Sequence, residues 1–316
     1  MCNPISLIIT EDKVFLPPDN DWNHSHSFIM KTHNIPDGLI GDKYLRLEIV
    51  PPYGYFRDEK TNKKLTVNKK WAVILDEENI PDWYLNDKPN QEYRAREAAK
   101  KWFKKFPDNL MPDYKETSGD CAILIAGNFS ELTAGNDSEL TAGNYSKLTA
   151  GNIANLTAGD YSELIAGCYS HLEAGNHSTL ISEHNSRLTG KDFCILNSGN
   201  GSYLIAGKSC KLTAGEFSTL TAENDSELTA KISAVLTAGD NSVLIAGKNS
   251  ALKAGKNSRL HALNCSIFCA DENSTFTLGW YTENDKCNSK TVRVGKDGIE
   301  PQKRYRGIDG IFTEVK

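Results

Sequence analysis

From Leu124 to Phe276 one apolar residue recurs every eight positions without a slip, and few architectures accommodate so strict a period. The run contains 20 octads, 18 of them with Leu at this site and the last two with Phe268 and Phe276. Two residues earlier stands Ser in 15 octads, replaced elsewhere by Ala122, Ala154, Cys194, Cys210 and Ala234. Two residues later stands Ala in 16, with Ser182, Gly190, Ser198 and Leu278 as exceptions, and Gly occupies the following position in 14. The unit reads A-G-N-x-S-x-L-T, as in Ala134-Gly-Asn-Asp-Ser-Glu-Leu-Thr141.

Small, large and small residues at a spacing of two define one face of a strand, because alternate side chains point the same way. Ser, Leu and Ala therefore point inward, and the residues flanking Leu point outward. Ala-Gly-Asn supplies the corner, with Gly and Asn expected to carry the positive φ of a tight turn. One Leu between two small residues fills only a thin interior, so the expected fold class is mainly β, a narrow two-sided β-solenoid. The residue before the repeat Ser sets the size of a coil. Sampled every 16 residues it reads Phe129, Tyr145, Tyr161, His177, Phe193, whereas the intervening octads read Asp137, Ile153, Tyr169, Asn185, Gly201. An aromatic ladder at that period implies two octads per coil and about ten coils, spanning roughly 48 Å. Beyond Phe193 the ladder gives way to Ser209, Asp225, Asn241 and Asn257.

The interior explains why hydrophobic residues make up only 39% of the 316 residues. The flanks differ. Residues 1–118 hold four of the five Trp and read as a small α+β domain. Ser6–Thr10 and Val14–Leu16 form an expected hairpin, Tyr44–Val50 and Trp71–Leu75 further strands, and Gln91–Phe106 a helix with Asn90 as its N-cap. The fold of 17–70 is otherwise not legible. Residues 119–279 are the solenoid, and 280–316 a β cap containing strands at Thr291–Val294 and Phe312–Val315. Solenoids expose unpaired strand edges at their ends, and both flanks are placed to cover them.

The repeat resembles half of the 16-residue unit of bacterial ice-nucleation proteins, A-G-x-x-S-x-L-T-A-G-Y-G-S-T-x-T. Thr133-Ala-Gly-Asn-Asp-Ser-Glu-Leu-Thr-Ala-Gly143 carries the likeness, which covers about half the chain. The resemblance implies a two-sided solenoid whose edge tyrosines are associated with pairing of subunits. The other half-unit, G-Y-G-S-T-x-T, is missing, so ice activity is not expected. Outward residues agree, because one wall reads Glu131, Lys147, Glu163, Thr179, Ile195, Lys211, Glu227 rather than a hydroxyl lattice. Met1-Cys-Asn-Pro-Ile-Ser6, Asn23-His-Ser-His-Ser27 and Leu45–Pro52 resemble the start of uncharacterised bacterial and phage proteins, which implies no activity.

Several constellations bear on chemistry. Removal of Met1 would leave Cys2 as an N-terminal nucleophile with its own amine as base. With Asp19-Asn-Asp-Trp22 this opening resembles choloylglycine-hydrolase-like amidases, a fold larger than the 118 residues before the repeat. His24 and His26, with His33 and Cys2, are conceivable zinc ligands; surface histidines are the preferred reading, and no metal or other cofactor is expected. Arg94, Arg96, Lys100, Lys101, Lys104 and Lys105 make one side of the helix basic, which suits phosphate contacts or a solvated face. Residues 119–279 carry 16 acidic and 10 basic side chains, a net of −6, and Glu131, Glu139, Glu163 and Glu227 are the candidates for a DNA-mimicking track. The net charge of −5 for the chain argues against wholesale polyanion binding. Asn-x-Ser triplets such as Asn128-Phe-Ser130 are by-products of the corner. Cys194 and Cys210 stand in for the repeat Ser as small inward residues, with no redox role implied.

No apolar run approaches the ~18 residues of a membrane span, and no basic segment followed by an apolar core opens the chain, so a cytoplasmic protein is expected. The functional expectation is a non-enzymatic binding or assembly protein, a homodimer through Phe129, Tyr145, Tyr161, His177 and Phe193. A Cys2 amidohydrolase and a nucleic-acid-binding or DNA-mimic module are the alternatives.

Overall fold

The computed structural model describes residues 4–18, 25–52, 55–58, 61, 63–111, 114–282 and 286–315. They fall into two compact units, Met1–Lys115 and Glu116–Lys316.

The first unit is built on an antiparallel sheet of order β2-β1-β3-β4, with β1 at Ile5–Ile9, β2 at Val14–Phe15, β3 at Leu45–Val50 and β4 at Ala72–Leu75. β1 reads ISLII and is buried on both faces. Ile5, Leu7 and Ile9 pack with Trp71, Ala95, Ala99 and Phe103, while Ile8 packs with Ile29, Met30 and Ile35. The two clusters come from helices on opposite faces: α1 (His26–His33) and α3 (Lys88–Lys105), the latter preceded by the short α2 (Asp82–Asn86). The hairpin, the later strands and the α+β character match the expectation.

Two local readings need correction. The long helix begins at Lys88, not after Asn90, because Pro89 is tolerated in a first turn where its missing N–H costs nothing. Asn90 instead donates to Asp87 Oδ2 at 2.8 Å. The surface reading does not hold for His26. Ser25 caps α1 by accepting from the Phe28 N–H at 3.3 Å, and His26 is buried in its first turn.

In the second unit, three-residue strands alternate between two twelve-stranded sheets. The even strands run from β6 (Ile123–Ile125) to β24 (Ser266–Cys269), and the odd strands from β5 (Lys115–Thr117) to β25 (Thr275–Tyr281). Pairing is parallel and in register at an offset of 16, as in Leu124↔Leu140 and Leu132↔Leu148. Two octads therefore make one coil, and about ten coils stack into a β-solenoid. The repeat Leu residues form the interior, each contributing about 1.5–3 kcal/mol of hydrophobic stabilisation.

The corner works differently from the expectation. Neither its Gly nor its Asn has positive φ; the next residue does, in nearly every half-coil, at values such as 57° for Phe129 and 55° for Asp137. Gly is required for space: a Cβ on Gly143 would lie 2.0 Å from Oδ1 of Asn128, one coil below. That oxygen accepts the Asn144 backbone N–H at 2.8 Å, and Asn144 serves Asp160 in the same way at 2.8 Å. The repeat Ser does the equivalent inside. The Ser130 N–H donates to Ser146 Oγ at 3.2 Å, and the Ser146 hydroxyl donates to the Asn144 carbonyl at 3.3 Å. A hydroxyl supplies both roles, which Ala cannot.

The C-terminal residues close the stack as the cap reading expected. β26 (Cys287–Arg293) pairs antiparallel with β25, β27 (Arg304–Ile308) with β24, and β28 (Ile311–Val315) with β27. β26 starts earlier than Thr291, because it must match the long β25 from Thr275 to Tyr281. Inside, Phe268 and Phe276 replace Leu, stack at 5.4 Å and meet Phe312, so the thin interior widens into an aromatic plug.

Candidate functional site: an aromatic edge on the solenoid

Phe129, Tyr145, Tyr161, His177 and Phe193 occupy the positive-φ position of five successive coils on one edge. The in-register pairing of the strands that follow them aligns the rings one above another. Successive centroids are 5.0, 4.9, 4.7 and 4.7 Å apart, with planes within 5° of parallel. Tyr145, Tyr161 and Phe193 remain about half exposed, at 46, 50 and 53%.

The backbone beneath them is the informative part. Left-handed φ costs an ordinary L-residue roughly 1–2 kcal/mol, and Asn or Asp is the natural occupant. After Ser209 the later coils comply, with Asp225, Asn241, Asn257 and Asn273 at this position. The first five coils hold rings there instead, at φ between 55 and 59°. Each stacked pair contributes about 0.5–1.5 kcal/mol, which offsets part of the strain. Strain retained under exposed side chains points to a use for those side chains. The opposite edge has the same backbone under Ile153, Tyr169 and Phe217, but its rings form no continuous stack.

The walls beside the edge carry ion pairs across successive coils. Lys147 Nζ lies 3.2 Å from Glu163, and Lys211 Nζ 3.4 Å from Glu227. Two carboxylates of the acidic track are thus neutralised by the lysines that interrupt it. Thr219 and Thr221 flank Leu220, with Thr219 between Tyr203 and Val235 and Thr221 between Ile205 and Thr237.

In the first unit, the basic helix turns part of its charge inward. Arg94 donates to the Glu11 carbonyl and to Gln91, and Arg96 to the Trp71 carbonyl and Glu92. Lys100 pairs with Glu97 at 3.3 Å, and Lys101, Lys104 and Lys105 are exposed. Cys2, the Asp19-Asn-Asp-Trp22 segment and His24 lie outside the described residues. His26 places Nδ1 3.1 Å from Asp76 and Nε2 3.1 Å from the Leu47 carbonyl, and His33 Nε2 lies 2.9 Å from the Leu16 carbonyl. Both imidazoles therefore tie helix α1 to the sheet. Among the described residues no three His, Cys, Asp or Glu side chains gather as a metal site, and no helix is long and apolar enough to cross a membrane.

No family, curated protein or solved structure matches the chain.

Proposed function

We propose that this is a non-enzymatic binding and assembly protein whose solenoid is a rigid scaffold that pairs with a second copy through the Phe129–Phe193 edge. The carrying observation is the row of five parallel rings, four of them exposed, held on left-handed backbone. A partner that buries this row must match its period of 4.7–5.0 Å over five rungs. A second ladder has that period by construction. The similarity of the repeat to ice-nucleation proteins, whose edge tyrosines are associated with subunit pairing, supports the same reading.

Ten such rings would bury roughly 1,000 Å², the small end for a specific interface. A reversible dimer that dissociates in the micromolar range is expected. Tyr145→Ser with Tyr161→Ser tests it, because Ser209 already occupies the same corner at φ 55° and the substitution leaves the coil intact. Size-exclusion chromatography with light scattering should give a dimer for the native chain and a monomer for the double variant. A native monomer at high concentration, or a dimer the variant leaves unaltered, overturns the proposal.

A further inference from the structure

Cys194 and Cys210 replace the repeat Ser in two successive coils. The strands that follow them pair in register, Ile195↔Lys211, so the two cysteines sit one above the other. A coil spacing of about 4.8 Å puts their Cα atoms within the roughly 4.4–6.8 Å that a disulfide spans. The Cys194 N–H donates to Cys210 Sγ at 3.2 Å, and the two thiols donate to backbone carbonyls, Cys194 to Gly175 at 3.1 Å and Cys210 to Lys191 at 3.2 Å. Both side chains are buried, at 1 and 3% exposure. Gly190 stands where most half-coils have Ala, and a Cβ there would come 2.9 Å from Cys194 Cβ, 3.0 Å from its Sγ and 3.1 Å from Leu196 Cδ1. The remaining described cysteines are exposed or half-buried and have no such companion.

We propose that Cys194 and Cys210 form a reversible disulfide that staples these two coils. The oxidant is a low-molecular-weight disulfide such as glutathione disulfide. The Cys194 thiolate attacks one of its sulfurs, breaks the S–S bond, expels a thiolate and leaves a mixed disulfide. The Cys210 thiolate then attacks the Cys194 sulfur, forms the intrachain bond and releases the second thiolate. The protein loses two protons and two electrons, and the oxidant is reduced to two thiols. Cys194 is the attacking member because the neighbouring Cys210 side chain, with backbone hydrogen bonds, holds its thiol down at about 7, while Cys194 and burial push Cys210 up. A mixed disulfide is larger than the closed interior, so exchange runs through local opening of the coil. Cys194 directly follows Phe193, so the staple fixes the coil that carries the last ring of the ladder to the coil beyond it.

The full chain is refolded in glutathione buffers of increasing oxidised fraction, alkylated, digested and mapped by mass spectrometry. A Cys194–Cys210 linked peptide lacking two hydrogens should accumulate, with a melting midpoint about 5 °C higher. Cys194→Ser and Cys210→Ser should each fold, since Ser is the repeat residue, and each should lose both the linked peptide and the shift. Both thiols alkylated at every ratio, glutathione left on one of them, links to other cysteines, or a linked peptide without a raised midpoint would each overturn the proposal. These readouts are independent of whether the chain dimerises.

Discussion

At the scale of single residues, each corner position answers a different physical demand. Gly143 makes room, Asn144 bridges to the next coil, and Tyr145 takes the left-handed conformation. Gly and Asn suggest positive φ to anyone reading the repeat, because that is their common use in turns. Here the neighbouring coil, invisible in a single repeat unit, determines them instead. Gly143→Ala must therefore displace the Asn128 amide and its 2.8 Å bond, and a loss of about 2 kcal/mol in chemical denaturation is expected. Ile153 gives the opposite test. It is a β-branched residue at φ 60°, lies outside the ring stack and is largely exposed. Ile153→Asn should raise stability by about 1 kcal/mol, because only the backbone strain changes appreciably. An unchanged or lowered stability would contradict the strain argument made for the rings.

At the scale of elements, strands were more legible than the segments between them. The apolar run at β1 marks a buried strand, and the alternation in β3 marks its neighbour. The helix starts before the point its sequence suggests, because Asn90 looks like a cap while Pro89 reads as a break. The burial of His26 is not legible in the sequence, since its partners, Asp76 and the Leu47 carbonyl, are distant in the chain. Beside it on β3, Glu48 is pushed above the ordinary glutamate value of 4.5 by burial, an effect His26 opposes and Asp76 adds to. The folded state thus binds this proton more tightly than the unfolded chain does. Its stabilising effect is complete below the unfolded value and is lost as pH rises through the folded one. Glu48→Gln should consequently stabilise the first unit at pH 7 and make no difference in acid, as followed by urea unfolding at the two pH values. A penalty at pH 7 would show that Glu48 gains more from His26 than it loses to burial.

For the whole molecule, the period decided almost everything in the second unit: strand, face, coil size and the stacking of the rings. The first unit lacks such redundancy, so its core rests on single contacts among Trp71, Tyr84, Phe103 and the β1 side chains. In the solenoid each coil touches mainly its neighbours, so stability is close to a sum of similar increments. The candidate edge was legible as a column of residue types. What the column could not reveal was the left-handed backbone under it, or that four of the five rings remain exposed while stacked. In the proposed dimer two rows of the same period meet, and the opposite edge supplies an internal control on the same chain. The most direct measurement is nitration of exposed tyrosines by tetranitromethane, mapped by mass spectrometry at dimeric concentration and again after dilution. The isolated chain exposes Tyr145 and Tyr161 at 46 and 50%, and Tyr169 on the other edge at 66%. Tyr169 should react readily throughout, whereas Tyr145 and Tyr161 should be shielded in the concentrated sample and become reactive on dilution. Equal, concentration-independent reaction at all three would contradict the account.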